Sequence, residues 1–299
     1  MGIDRISFGL DRFKTYSLLK KWRLSDVIFI GIVLLVNTPV YYAEPFQRQF
    51  YVNDLTISHP YAVNQRVNDF MLFIYSFVVP LATIFVFTLI VADPKHKIYV
   101  FYISALGLCL SVSSTALVTN FLKNWVGRLR PDFLARCEPR ENTPINVLVT
   151  AAEVCTTEHT NRLLDGFRTT PSGHSSESFS GLGYLYLWLD GQLLAENPLV
   201  GSWRKSVAIL PLIGAAVIAL SRTQDYRHHF VDVIIGSCLG LVIGHWCYRR
   251  NFPSIYSDVP FKPMLDDSDV VTGSNKTTSL VLSGQDEESA PLTSSSQQL

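Results

Sequence analysis

The sequence lacks a net charge: 25 lysines and arginines balance 25 aspartates and glutamates across 299 residues. That removes any bulk electrostatic case for a nucleic-acid partner. Cysteine is sparse, five in all with no Cys-x-x-Cys pair, so neither a zinc ribbon nor a thioredoxin-like motif is indicated. There is no cluster of oxygen ligands of the kind Mg²⁺ wants and no Cys/His set of the kind Zn²⁺ wants. Internal repeats and heptad arrays are missing too, which excludes a solenoid or a coiled coil. Residues 1–26 are polar and basic, without a short apolar region and cleavage site, so no removable signal peptide is expected. Ile6 stands where N-myristoylation wants Ser or Thr.

What is present is apolar sequence in long runs. Hydrophobic residues make up 48% of the chain and charged ones 17%. Six runs approach the roughly 20 residues that cross a bilayer as a helix. They are Val27–Tyr42, Phe70–Ala92, Ile98–Leu122, Phe179–Leu194, Val207–Leu220 and Phe230–Tyr248, and they predict an all-α, six-transmembrane-helix bundle. Pro80 within the second predicts a kink, because neighbouring helices can satisfy the freed carbonyl. The short basic segments are residues 1–26, Lys95 with Lys97, Arg204 with Lys205, and Arg249 with Arg250. All fall on one side of a six-helix chain, which the positive-inside rule places in the cytoplasm. The predicted organisation is a cytoplasmic segment 1–26, a membrane domain 27–250 and a disordered cytoplasmic tail 251–299 rich in Ser, Thr, Asp, Glu and Gln. The loops 43–69, 123–178 and 221–229 then share the luminal side. Asn275 opens a glycosylation pattern that this topology leaves unmodified.

Three polar islands lie on that luminal side. In the stretch from Ser221 to Asp232, Arg222 supplies a cation, and His228 and Asp232 stand four apart. On one helix face, Asp232 would accept the proton of one His228 imidazole nitrogen in a hydrogen bond and leave the other nitrogen's lone pair free for attack. Lys123 and Arg130 are seven apart, two turns of a helix continuing from the membrane, so both point one way. In Thr169-Thr170-Pro171-Ser172-Gly173-His174, Ser172 can cap a helix, Gly173 permits close approach, and free amides at a helix start bind anions. The inventory is three cations (Lys123, Arg130, Arg222), two neutral donors (Ser172, Gly173), two histidines and one carboxylate. It suits a phosphate, whose transfer depends on positioning and charge neutralisation. His228 attacks phosphorus and becomes a phosphohistidine; His174 protonates the leaving oxygen and then deprotonates water. Protein cations replace a metal, so no cofactor and Mg²⁺-independent turnover are expected.

These islands resemble the signature of the type 2 phosphatidic acid phosphatase superfamily, the lipid phosphate phosphatases. Lys123 to Pro131 meets Lys-x6-Arg-Pro, Pro171 to His174 meets Pro-Ser-Gly-His, and Ser221 to Asp232 meets Ser-Arg-x5-His-x3-Asp. A triple match in order is far more specific than any one of them. The resemblance implies a helical core like that of acid phosphatases and vanadium haloperoxidases. It implies His228 as nucleophile, Asp232 as its support, His174 as acid, and Lys123, Arg130, Ser172, Gly173 and Arg222 as phosphate ligands. The segments from Arg48 to Ala62 and from Leu164 to Thr170 look like the fungal diacylglycerol pyrophosphate phosphatases. That implies removal of the terminal phosphate of diacylglycerol pyrophosphate, then of phosphatidate and lysophosphatidate phosphate. It also implies a vacuolar membrane location with a luminal site, another endomembrane or the plasma membrane being the alternative. Competing readings are a phosphatase of another isoprenoid or sphingoid lipid phosphate and a non-catalytic scaffold of the same fold. The expected partners are lipid phosphates and the bilayer; nothing signals an oligomeric state.

Other polar residues carry blander expectations. Asp225 and Arg227 read as a solvated pair, Asp190 as reaching interfacial water, and Arg128 as either an interface anchor or a phosphate ligand. Cys137 and Cys155, the only cysteines in the luminal loops, are either disulfide-bonded or free.

Overall fold

A computed structural model of the chain describes residues 12, 15–92 and 94–266. Contacts divide the chain into one compact unit, Met1–Met264, and a second, Leu265–Leu299. Among the described residues six helices exceed eighteen residues: α1 (Leu24–Tyr42), α2 (Asp69–Val91), α3 (Lys97–Val126), α4 (Gly173–Leu193), α5 (Trp203–Gln224) and α6 (Phe230–Asn251). All except α4 are long and apolar enough to cross a membrane. The composition of α4 explains its exception: it begins six residues earlier than the apolar run, at Gly173, and carries buried serines 175, 176, 178 and 180. It can be polar because α3, α5 and α6 surround it. Its large side chains pair their polar tips, Tyr184 Oη donating to the Ser104 carbonyl at 3.0 Å and Trp188 Nε1 to Ser104 Oγ at 2.8 Å.

Close backbone approach holds α4 against α6. Gly236, Gly240 and Gly244 recur every fourth residue on α6 and face the carbonyls of Ser172, Ser176 and Ser180 on α4. A Cβ on Gly236 would lie 2.5 Å from the Ser172 oxygen, and one on Gly240 would overlap that of Ser176. Small residues at every fourth position are how membrane helices pack without large side chains. Across from them, Ser111 and Thr115 of α3 meet Ser180 Oγ at 2.6 and 2.9 Å, and Thr119 meets Ser176 Oγ at 2.8 Å. Pro80 is preceded by a π-widened turn, Ile74–Val78. Proline cannot donate to the carbonyl four residues back, here Ser76, and that carbonyl abuts Gly181 of α4 so closely that no Cβ would fit.

Between helices, residues 43–69 and 127–172 fold together over one end of the bundle. Phe50, Ile57, Phe133, Val149 and Phe167 form a small apolar cluster, and Cys137 is disulfide-bonded to Cys155. At the other end Asp26 at the start of α1 receives Arg250 Nε at 2.8 Å from the last turn of α6. Asp190 does not reach water; it is buried and accepts from Lys205 Nζ at 2.8 Å. The start of the expected disordered tail is instead packed. Phe252 is fully buried, Gln192 Nε2 donates to the Phe261 carbonyl at 3.1 Å, and the Met264 amide donates to Asn251 at 2.9 Å. The apolar residues of 252–264 give that stretch something to bury. Residues 267–299, with Asn275, lie outside the described residues, as do 1–11, 13, 14 and 93.

Candidate active site

The three islands meet at the capped end of the bundle. Lys123, Arg130, Gly173, His174, Arg222 and His228 line one cavity of about 300 Å³. Lys123 occupies the last turn of α3, and its Nζ lies over Gly173, where a Cβ would come within 2.8 Å. Arg130 does not sit on that helix. Gly127, with φ +58°, ends α3 and leaves no room for a side chain against the Phe46 carbonyl. The chain turns there, and the Arg130 amide bonds to the Gly166 carbonyl at 2.9 Å. The two cations converge because the helix stops, not because it continues.

His228 also stands off the helix. The N-cap of α6 is His229 and the helix starts at Phe230, so the expected shared face of His228 and Asp232 does not form. His228 Nδ1 donates to the Thr169 carbonyl at 2.7 Å, with Thr169 Oγ1 at 3.2 Å. The same hydroxyl donates to Asp232 Oδ2 at 2.9 Å. Asp232 therefore reaches the imidazole through Thr169. Its remaining contacts are Thr170 Oγ1 at 2.5 Å, the His229 amide at 2.9 Å, His229 Nδ1 at 3.1 Å and Arg128 Nη1 at 2.9 Å. Arg128 is thus a partner of the buried carboxylate and does not line the cavity. With Nδ1 tied, His228 Nε2 has no protein partner among the described residues and is left for the cavity. Burial first, then Arg130, Lys123 and His174, hold the His228 pKa well below the usual histidine value, against the opposing pull of the Thr169 carbonyl. The ring is neutral at pH 7.

Thr169→Val removes the hydroxyl bridge and keeps the carbonyl. It is expected to lower kcat on the order of tenfold or more with little change in KM, since the imidazole loses its orienting partner. Thr169→Ser is expected to recover the rate. Steady-state kinetics on the two variants decide it, and equal losses in both would contradict the bridge.

Ser172 does not reach the cavity. It is fully buried, its hydroxyl accepts from Ser175 Oγ at 3.0 Å as the cap of α4, and its amide donates to the Asp232 carbonyl at 3.0 Å. The amides left at the start of α4 belong to Gly173 and His174, both cavity residues. His174 Nε2 donates to the Val67 carbonyl at 3.0 Å and lies 3.8 Å from Asp69 Oδ1, which leaves Nδ1 to exchange protons with a ligand.

Several residues of the cavity wall were not singled out from the sequence. Asp165 collects arginines: Arg130 Nη2 at 2.7 Å, Arg136 Nη1 at 3.0 Å and Arg227 Nη2 at 3.3 Å. Burial would raise the Asp165 carboxyl, but Arg130, Arg136 and Arg227 outweigh it and hold it well below the carboxylate range. Burial in turn pulls the Arg130 guanidinium down to about 9, opposed by Asp165, so it remains charged at neutral pH. Arg227 lines the cavity rather than solvent, and Asp225 is buried against Arg222 Nη2 at 3.0 Å and Arg66 Nη1 at 2.8 Å. Arg222 Nη1 also donates to Gln65 at 3.0 Å, so residues 65–69 secure both Arg222 and His174. Arg168 and Glu177 complete the charged lining. The sequence signal for Asp165 was an acid set among arginines 130, 136, 162, 168 and 227, legible only once the loops are folded together.

Five cations outnumber the carboxyls on the cavity wall, a match for a phosphate dianion. Comparison with known proteins agrees with that chemistry. The PAP2 superfamily matches residues 104–256. Diacylglycerol pyrophosphate phosphatase 1 of Saccharomyces cerevisiae is 62% identical over 90% of this chain and 92% of its own. A probable diacylglycerol pyrophosphate phosphatase 1 of Schizosaccharomyces pombe is 42% identical over 81% of this chain and 82% of its own. Lipid phosphate phosphatase 2 of Arabidopsis thaliana is 32% identical over 85% of this chain and 86% of its own. Both the family match and this near-complete overlap span all three islands: the chain belongs to the PAP2 superfamily.

Proposed function

We propose that the protein is a metal-independent lipid phosphate phosphohydrolase. It removes the terminal phosphate of diacylglycerol pyrophosphate and then dephosphorylates phosphatidate and lysophosphatidate. The observation that carries this reading is a neutral imidazole whose free Nε2 faces a cavity bordered by five cations. Lys123, Arg130, Arg222 and the amides of Gly173 and His174 hold the phosphoryl oxygens and neutralise charge as it spreads over them. His228 Nε2 attacks phosphorus and the bond to the leaving oxygen breaks. His174, protonated on both ring nitrogens once the phosphate dianion is bound, gives its Nδ1 proton to that oxygen while Nε2–H stays on the Val67 carbonyl, and Nδ1 then accepts one from the water that hydrolyses the phosphohistidine. Thr169 and Asp232 stabilise the charge left on the His228 ring.

The reading includes six crossings, with α4 as the fourth, and a luminal site. Arg23, Lys97, Arg204 and Arg250 stand at helix ends remote from the cavity, as cytoplasmic residues do. The Cys137–Cys155 disulfide at the cavity end suits an oxidising lumen. Likeness to the fungal enzymes supports a vacuolar membrane. Metal independence is supported by the donor set, in which the phosphate ligands are cations rather than oxygen ligands. Purified protein in detergent is expected to release phosphate from diacylglycerol pyrophosphate and from phosphatidate equally well with and without EDTA. Inhibition by EDTA that Mg²⁺ reverses would overturn the metal-free mechanism.

A further inference from the structure

The cavity is layered along the helices. Lys123 and His174 stand at one level, and on the membrane side of them, one turn along α3 and α4, come Thr119, Asn120 and Glu177. Glu177 lies three residues beyond His174, a rise of about 4.5 Å. It lines the cavity and makes no hydrogen bond or ion pair with protein among the described residues. The Thr119 hydroxyl is already engaged with Ser176. In-line attack from His228 sends the leaving group toward His174 and then toward this second layer, where a lipid's acyl chains continue into the bilayer. The group that passes Glu177 differs between substrates. In phosphatidate it is glycerol; in a lipid diphosphate it is the inner phosphate, with oxygens that need donors.

A carboxyl facing an incoming phosphate is compatible with it only when protonated, because two like charges at contact distance cannot both persist. Protonated, it becomes a hydrogen-bond donor, a use proteins make of carboxylic acids at anionic sites. We propose that Glu177 is a specificity-determining residue that donates a hydrogen bond to the inner phosphate of a lipid diphosphate and so favours that substrate over a monophosphate. This rests on the diacylglycerol pyrophosphate reading given above.

The test compares kcat/KM for diacylglycerol pyrophosphate and for phosphatidate in mixed micelles, with wild type, Glu177→Gln and Glu177→Leu. Gln keeps a neutral donor and is expected to hold the diphosphate-to-monophosphate ratio within about threefold of wild type. Leu removes the donor and is expected to lower the ratio about tenfold or more. A ratio that rises in Glu177→Gln would overturn the proposal by showing that the carboxylate is ionised and repels the second phosphate. Equal losses on both substrates in Glu177→Leu would also overturn it, and the Gln variant remains decisive even if Leu does not fold. Wild type that hydrolyses phosphatidate but not the diphosphate would remove the substrate reading itself, a failure visible before any variant is made.

Discussion

Replacing His228 by alanine is expected to abolish turnover, a fall on the order of 10⁴-fold or more. The residue is the cavity histidine whose Nδ1 is anchored and whose Nε2 is not. Alanine leaves the cations and the phosphate site in place, so the variant is expected still to bind substrate. Added imidazole, small enough for a cavity of about 300 Å³, is expected to restore part of the rate. His229→Ala supplies the contrast. That ring contacts Asp232 at 3.1 Å and the Thr56 carbonyl at 3.3 Å, and its loss is expected to cost far less. His174→Ala is expected to accumulate labelled phosphoenzyme, since attack can proceed while release of the phosphohistidine stalls. Full activity in His228→Ala would end the phosphohistidine mechanism. The pH profile carries the same information. The active form of His228 is neutral and its pKa is lowered, so its acid limb in kcat/KM falls well below the about 6.5 of an ordinary histidine.

Asp165→Ala is the second large effect, because one carboxylate organises three arginines. Arg136 would stay in place, held by Asp132 through two contacts of 2.9 Å. Arg130 would keep only its Nε contact to the main-chain carbonyl of residue 165 at 2.8 Å and Arg227 would lose its carboxylate partner, and both line the cavity. The expected loss in kcat/KM is about 10² to 10³-fold, most of it in kcat, as two cations lose their aim and repel each other. Stability is expected to fall by about 1–2 kcal/mol, the range for a broken buried pair reduced because a third of the side chain is exposed. The sign with pH follows from the lowered folded pKa. The Asp165 contribution is complete above the unfolded value of about 3.9 and is lost as pH falls through the folded value. Wild type and variant are therefore expected to differ by a constant amount from pH 5 to 8, read by thermal unfolding in detergent. Unchanged kinetics would show that other contacts hold the arginines.

Much of this arrangement was legible in the sequence. The apolar runs located α1, α2, α3, α5 and α6 to within a few residues, because apolar length is what a bilayer demands. The three motifs named six residues that now border one cavity. The misreadings share a cause: regular helical spacing was extended past points where capping ends the helix. Gly127 stops α3 before Arg130, and His229 starts α6 after His228. Spacing of seven or of four then says nothing about direction. Asp165, Arg168, Arg227 and Glu177 were harder still, since charges far apart in the chain become a wall only when the connecting loops cross. Ser172 misled for the opposite reason: its motif position was right, but its oxygen is spent inside α4.

The glycine face of α6 has a consequence for how the catalytic geometry is set. His228 and Asp232 stand at the head of that helix, and Gly173 and His174 at the head of the one it presses against. With main chain resting on main chain, no rotamer can adjust the gap between them. The spacing between the proposed nucleophile and the proposed acid is gauged along the first turns of α6, from Gly236 to Gly244, by three hydrogen atoms where side chains would otherwise be.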